Sequence, residues 1–169
     1  MAVIFSFLSN NSMVQLWECN RYIHAITMPK LIARIDVSWS DFRSWSIFSK
    51  KPKFVRKMTI DVNEPIEQLP GKLRELTFVK SFNRPLPKKL PSKLKKLTIG
   101  MKSNRSLLDS DFNRPLPENL PRSLEYLSLG NRFNQPLPEN LPPSLKYLSM
   151  GYRFNQTLPE NLPSSLEYL

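Results

Sequence analysis

The chain holds one cysteine and one histidine, Cys19 and His24. Two such ligands, five residues apart, fall short of the four that a structural zinc site needs. Cys19 lies in an apolar stretch and reads most simply as a buried small hydrophobe. Neither a His-Glu-x-x-His motif nor a glycine-rich phosphate loop is present. Carboxylates recur once per repeat, at Glu118, Glu139 and Glu160, each inside the phrase Pro-Glu-Asn-Leu-Pro. An acid–base pair requires two groups in different environments, whereas these three share one, so they read as turn or surface residues. No catalytic set emerges. An enzyme, a cofactor, a metal site and a small-molecule substrate are therefore not expected.

The remaining chemistry is recognition. Tyr126, Tyr147 and Tyr168 stand 21 residues apart, and the equivalent upstream positions hold Lys57, Glu75 and Lys96. Beside them runs a second series, Thr59, Thr77, Thr98, Ser128 and Ser149, and on the other side a third, Arg56, Arg74, Lys95, Glu125, Lys146 and Glu167. Tyrosine offers large apolar area and a hydroxyl at low entropic cost, which makes it a strong interface residue. Aligned on one surface, Tyr126, Tyr147 and Tyr168 with Lys96 and Glu75 would form a strip on which a protein partner docks. The alternative is a ladder whose members pack mainly on one another between coils.

Such alignment requires regularly stacked elements, and the spacing supplies them. The phrase Phe-Asn-x-Pro-Leu-Pro begins at Phe82, Phe112 and Phe133, and a copy with threonine in place of the first proline begins at Phe154. The last two steps are 21 residues, and the first is 30, with about nine extra residues near Lys102 to Ser110. A fixed period near 20 predicts a solenoid, in which each coil buries its apolar face only by stacking on its neighbours. Each repeat also carries Leu-x-x-Leu-x-Leu or a close variant: Leu73/Leu76/Phe78, Leu94/Leu97/Ile99, Leu124/Leu127/Leu129 and Leu145/Leu148/Met150, with Val55/Met58/Ile60 as a degenerate upstream copy. Alternation at its end is the period of a strand. Gly100, Gly130 and Gly151 follow three of these strands, where the chain must turn. The proline-rich remainder excludes a regular helix and predicts extended chain and turns. The predicted fold is mainly β: a right-handed leucine-rich-repeat-like solenoid of ~21-residue coils. It has a short parallel sheet on one face, a proline-rich irregular face opposite, and a small helical N-terminal cap. Phe82, Phe112, Phe133 and Phe154 should stack as an internal spine, and Asn83, Asn113, Asn134 and Asn155 should satisfy buried backbone groups between coils.

The phrase Phe-Asn-x-Pro-Leu-Pro followed by Leu-Pro-x-Ser-Leu resembles the FNIP repeat, a relative of leucine-rich repeats found mainly in social amoebae and in giant viruses that infect amoebae. The resemblance covers residues 52–169, about five to six coils with the last incomplete. Asp61-Val62-Asn63-Glu64-Pro65-Ile66 replaces the phrase in the coil before Phe82, as a capping coil tends to do. Upstream, Ile4-Phe5-Ser6-Phe7-Leu8-Ser9, then Ser12-Met13-Val14-x-Leu16-Trp17, then Cys19-Asn20-Arg21-Tyr22-x-His24, resembles the middle and end of an F-box, without its opening Leu-Pro-x-Glu. Residues 1–29 are thus read as a truncated F-box-like helical segment, and 30–51 as a connecting segment or a degenerate first coil. The resemblance implies that Ile4, Phe7, Leu8, Leu16 and Trp17 contact a Skp-type adaptor. It further implies a substrate-recruiting receptor of a Skp–cullin–F-box ubiquitin ligase, viral or amoebal, working in cytoplasm (host cytoplasm if viral). Without the adaptor, the same chain is a ligase-independent scaffold and the N-terminal segment only an apolar cap.

Composition sets the remaining bounds. The 169 residues suffice for one solenoid and a small cap. No run of 18 apolar residues occurs, so no transmembrane helix is expected. The first eight residues lack the basic start and the length of a secretory signal. A single cysteine fits a reducing, intracellular compartment. The net charge of +11 is uneven: residues 61–110 carry 11 basic and 5 acidic groups, and residues 111–169 carry 5 and 6. Lys50-Lys51-Pro52-Lys53, Lys88-Lys89 and Lys93-x-Lys95-Lys96 are the densest basic parts. They read as a solvated surface or as a patch for an acidic protein or nucleic acid. No nucleic-acid-binding signature accompanies them, so specific nucleic-acid binding is not expected. Leu166 and Leu169 open one more strand signal, and Leu166, Tyr168 and Leu169 are expected to be poorly protected or to pair with another copy.

Overall fold

The computed structural model describes residues 36–39, 55–66, 68–79, 81–100 and 110–169. The helical cap expected at residues 1–29 lies outside them. Six short strands run in chain order: β1 (Asp36–Ser38), β2 (Lys57–Ile60), β3 (Glu75–Phe78), β4 (Lys96–Ile99), β5 (Tyr126–Ser128) and β6 (Tyr147–Ser149). They form one parallel sheet in the order β1-β2-β3-β4-β5-β6, so each coil contributes one strand beside the one before it. A seventh coil adds only the parallel bridge between Tyr147 and Tyr168. β1 falls within the stretch read as a connecting segment or a degenerate first coil, and it pairs Asp36 with Lys57 and Ser38 with Thr59.

A turn built from the repeat's own proline launches β3, β4, β5, β6 and the final bridge. The N–H groups of Leu73, Leu94, Leu124, Leu145 and Leu166 donate to the carbonyls of Pro70, Pro91, Pro121, Pro142 and Pro163, three residues back, at 2.9–3.1 Å. That bond closes a four-residue turn. The next residue then donates to the preceding coil, as Arg74 does to Arg56 and Lys95 to Arg74. This explains why Leu-Pro-x-Ser-Leu always precedes a strand. Serine at the fourth position ties the turn down further: the Ser123 hydroxyl lies 2.9 and 2.7 Å from the carbonyls of Ser92 and Leu94, and Ser165 repeats the arrangement on Pro143 and Leu145.

Inward strand residues and wall leucines make one continuous core. Met58, Leu76, Leu97, Leu127 and Leu148 are buried from the sheet side, and Leu86, Leu116 and Leu137 from the proline-rich side. Between them the phenylalanines stack. Ring centroids lie 6.2 Å apart for Phe82–Phe112, 6.0 Å for Phe112–Phe133 and 6.1 Å for Phe133–Phe154, with planes within 15° of parallel. The 30-residue step leaves this column unbroken. Ser110 is fully buried, and its hydroxyl accepts the Phe112 N–H at 3.2 Å. Gly100 and Gly130 make the room: a Cβ on either would stand 2.2 or 2.3 Å from the Ser110 Cβ.

The asparagines form a second column, outside the core. Each Oδ1 accepts the backbone N–H of the asparagine one coil later: Asn63 from Asn83, Asn83 from Asn113, Asn113 from Asn134 and Asn134 from Asn155, at 3.0–3.1 Å. They serve backbone groups between coils, but half-exposed or exposed rather than buried. The next residue reinforces the joint. Arg84 and Arg114 donate through Nε to the backbone carbonyls of Asn63 and Asn83. Gln135 and Gln156 donate to the side-chain carbonyls of Asn113 and Asn134. Asn113→Ala removes the acceptor for two donors at a site water can reach, so we expect a loss of about 0.5–1.5 kcal/mol in urea unfolding with an unchanged slope.

Candidate functional site

The outward residues of the sheet come into register as columns. The partners Lys57↔Glu75, Glu75↔Lys96, Lys96↔Tyr126 and Tyr126↔Tyr147 place one side chain over the next along the solenoid axis. Parallel pairing without a slip makes this possible, because a one-residue shift would turn every such side chain into the core.

Contacts within the column change from charge to aromatic stacking. Lys57 Nζ lies 2.9 Å from Glu75 Oε1. Lys96 Nζ lies 4.6 Å from the centre of the Tyr126 ring, a cation–π contact. Tyr126 and Tyr147 stack with centroids 4.3 Å apart and planes within 3°, while Tyr168 leans on Tyr147 at 5.8 Å and 44°. The five residues proposed from the sequence as a docking strip thus lie in one line. Their members also pack on one another, as the alternative reading of the ladder expected. Tyr126 and Tyr147 are half-buried, and Tyr168 is 64% exposed.

A parallel column of ion pairs flanks the ladder. Lys95 Nζ meets Glu125 Oε1 at 2.6 Å, and Lys146 Nζ meets Glu167 Oε1 at 3.5 Å. At such exposure each contributes at most about 1 kcal/mol. On the other side, Thr98 departs from its column. It is only 3% exposed, and its hydroxyl has no hydrogen-bond partner, whereas Thr77, Ser128 and Ser149 are half-buried.

The stack alters the acidity of Tyr126. Burial, then the nearby Tyr147 charge and the hydrogen bond to its hydroxyl, hold the Tyr126 phenol above the ordinary tyrosine value. A raised folded-state pKa contributes stability that is full below the unfolded value of about 10 and is lost as pH climbs through the folded value. Absorbance titration of phenolate is expected to show one tyrosine ionising late. In Tyr147→Phe its midpoint moves down; an unmoved midpoint would show that the pair is not coupled.

Among the described residues no group of three or more His, Cys, Asp or Glu side chains could hold a metal, and no helix is long and apolar enough to cross a membrane. Glu118, Glu139 and Glu160 sit exposed on the proline-rich wall. Ile4, Phe7, Leu8, Leu16 and Trp17, the residues matched to the adaptor-contacting part of an F-box, lie outside the described residues.

Five contributors to these joints are not specified by the motif. Asn63 joins the asparagine column although its coil lacks the phenylalanine; Val62-Asn63-x-Pro65-Ile66 carries the phrase's spacing with other apolar residues. Residues 84, 114, 135 and 156, read only as the variable position of the phrase, are the ones that reach back to the previous coil.

The family model described as FNIP Repeat matches residues 112–153 and again 133–169. The two matches start 21 residues apart, which is the distance between successive stacked phenylalanines. Residues 112–169 carry FNIP repeats. Each FNIP repeat is one coil: a proline turn, a strand, a glycine and the Phe-Asn phrase. A match to this family points to a repeat-based protein-interaction module, with the outward columns as its regular surface. A search of curated proteins finds no match to the chain.

Proposed function

We propose that the FNIP coils hold a protein partner on the sheet face, centred on Tyr126, Tyr147 and Tyr168 with Lys96 and Glu75 at its upstream end. We propose further that residues 1–29 tether the molecule to a Skp-type adaptor. The protein would then be a substrate-recruiting receptor of a cullin-type ubiquitin ligase in the cytoplasm, doing no covalent chemistry itself. The single observation behind the binding face is the in-register stack from Lys96 through Tyr126 and Tyr147 to Tyr168. The stacking pre-orders the tyrosine rings, so little side-chain entropy is lost on docking. The tether rests on the F-box-like sequence alone.

The test is a pull-down with purified full-length protein. An immobilised Skp-type adaptor is expected to capture the native chain and to lose a Phe7→Asp/Leu8→Asp variant. Cross-linked targets recovered with the native chain are expected to be lost from Tyr126→Ser/Tyr147→Ser while adaptor capture persists. Failure of adaptor capture by a folded protein would leave a ligase-independent scaffold; targets unaffected by the tyrosine variant would move the binding face elsewhere.

A further inference from the structure

Charge along one rim of the solenoid follows two different rules. The rim is the corner where the proline turn becomes the strand, and two positions per coil line it. In the downstream coils they read Ser123 and Glu125, Ser144 and Lys146, then Ser165 and Glu167. There the fold solves the corner internally: Ser123 and Ser165 bond back to the preceding coil, and the Lys146–Glu167 contact bridges neighbours. Upstream, the same positions read Lys72 and Arg74, then Lys93 and Lys95, and Arg56 precedes them on the strand side. All five are exposed.

Those cations are stacked like on like. The Arg74 N–H donates to the Arg56 carbonyl at 2.7 Å, and the Lys95 N–H to the Arg74 carbonyl at 2.8 Å. Their side chains therefore leave the backbone at the strand spacing of about 4.8 Å. Like charges in that relation are destabilising. Lys95 is relieved by Glu125. Among the described residues no carboxylate forms an ion pair with Arg56, Arg74 or Lys93. Residues 81–100 carry six basic groups and no acidic one. The arrangement does not serve the coil's own stability, since the downstream coils accomplish the same joint with serine and alternating charge.

We propose that the rim formed by Arg56, Arg74, Lys93 and Lys95 is a docking site for an acidic peptide segment of a protein partner. Two guanidinium forks on adjacent strands suit paired carboxylates, because the planar fork binds a carboxylate through two parallel hydrogen bonds. The patch spans three coils and ends where Glu125 takes the position, so it matches a short acidic stretch rather than a long phosphate track. Single-stranded nucleic acid also requires open aromatic faces for base stacking. Here Lys96 and Tyr147 cover the two faces of Tyr126. This surface borders the upstream end of the tyrosine face at Glu75 and Lys96 but does not depend on it.

The probe is a fluorescein-labelled hexaglutamate peptide, followed by anisotropy against the full-length protein. A hexaglutamine peptide and an oligothymidine of equal charge serve as comparisons. Expected is salt-sensitive binding of hexaglutamate, none of hexaglutamine, and weaker binding of the oligonucleotide. Arg56→Glu/Arg74→Glu is expected to weaken hexaglutamate at least about tenfold, or 1.4 kcal/mol. Lys88→Glu/Lys89→Glu changes net charge equally, on the proline-rich wall, and is expected to leave affinity within about threefold, the range of a long-range charge effect alone. Equal losses in both variants would overturn the proposal in favour of an unspecific positive field. Tighter binding of the oligonucleotide, or no binding by native protein with an intact circular dichroism spectrum, would overturn it as well.

Discussion

Phe133→Ala is expected to destabilise the protein by about 3–5 kcal/mol, a large share of the stability of a chain this size. Phe133 is fully buried, with Phe112 stacked on one face at 6.0 Å and Phe154 on the other at 6.1 Å. Truncation leaves a void flanked by two rings that cannot approach one another, because the strand pairing and the asparagine column fix the coil spacing. A site that cannot collapse retains the full cavity cost. Phe154 has a ring on one side only and is half-buried, so Phe154→Ala is expected to cost less than half as much. Urea unfolding followed by circular dichroism measures both. Equal losses for the two variants would show that the column does not behave as a stack of neighbours.

Gly151→Ala is expected to cost about 2–5 kcal/mol, from the left-handed backbone and from steric overlap together. Its φ is +72°, and a Cβ there would stand 2.5 Å from both the Gly130 carbonyl oxygen and the Asn131 Cα. These are backbone atoms of the preceding coil, so no side chain can swing away. Gly71 is the control. Nothing lies within 4 Å of a Cβ at that position, and alanine is expected to be neutral or to stabilise by about 0.4–1 kcal/mol through the unfolded chain. Differential scanning calorimetry of the two variants separates them; a Gly151→Ala midpoint equal to the native one would contradict the packing described for the turn.

Periodicity made most of the solenoid legible. A side chain that recurs every 21 residues has one environment, so the strands, the phenylalanine column and the tyrosine line could be placed from spacing alone. The extra residues before Ser110 did not obscure this, because Phe112 restores the register that Phe82 set. What repeats do not carry was harder to read. Asp36-Val37-Ser38 has neither the leucine spacing nor the proline turn, and its pairing with β2 follows from tertiary context. The asparagines were readable as polar links between coils, but an amide's preference for a partner does not reveal how much water also reaches it; that depends on the wall beside it. Arg84, Arg114, Gln135 and Gln156 differ from coil to coil, so periodic reasoning discards them, although length and donor geometry let each reach back. Thr98 shares its strand position with half-buried neighbours, and nothing in its spacing marks it as the buried one.

The asparagine and serine joints all point the same way. The acceptor sits in the earlier coil, and the donor arrives with the later one: Asn83 onto Asn63, Ser123 onto Ser92 and Leu94, Ser165 onto Pro143 and Leu145. A chain leaving the ribosome is made from its N-terminus at several residues per second, far slower than a short loop closes. Each new coil therefore meets finished asparagine and serine columns, whose carbonyl oxygens water satisfies while they wait. At these side-chain joints growth is accretion onto a completed edge, and the order of assembly follows the direction of their hydrogen bonds.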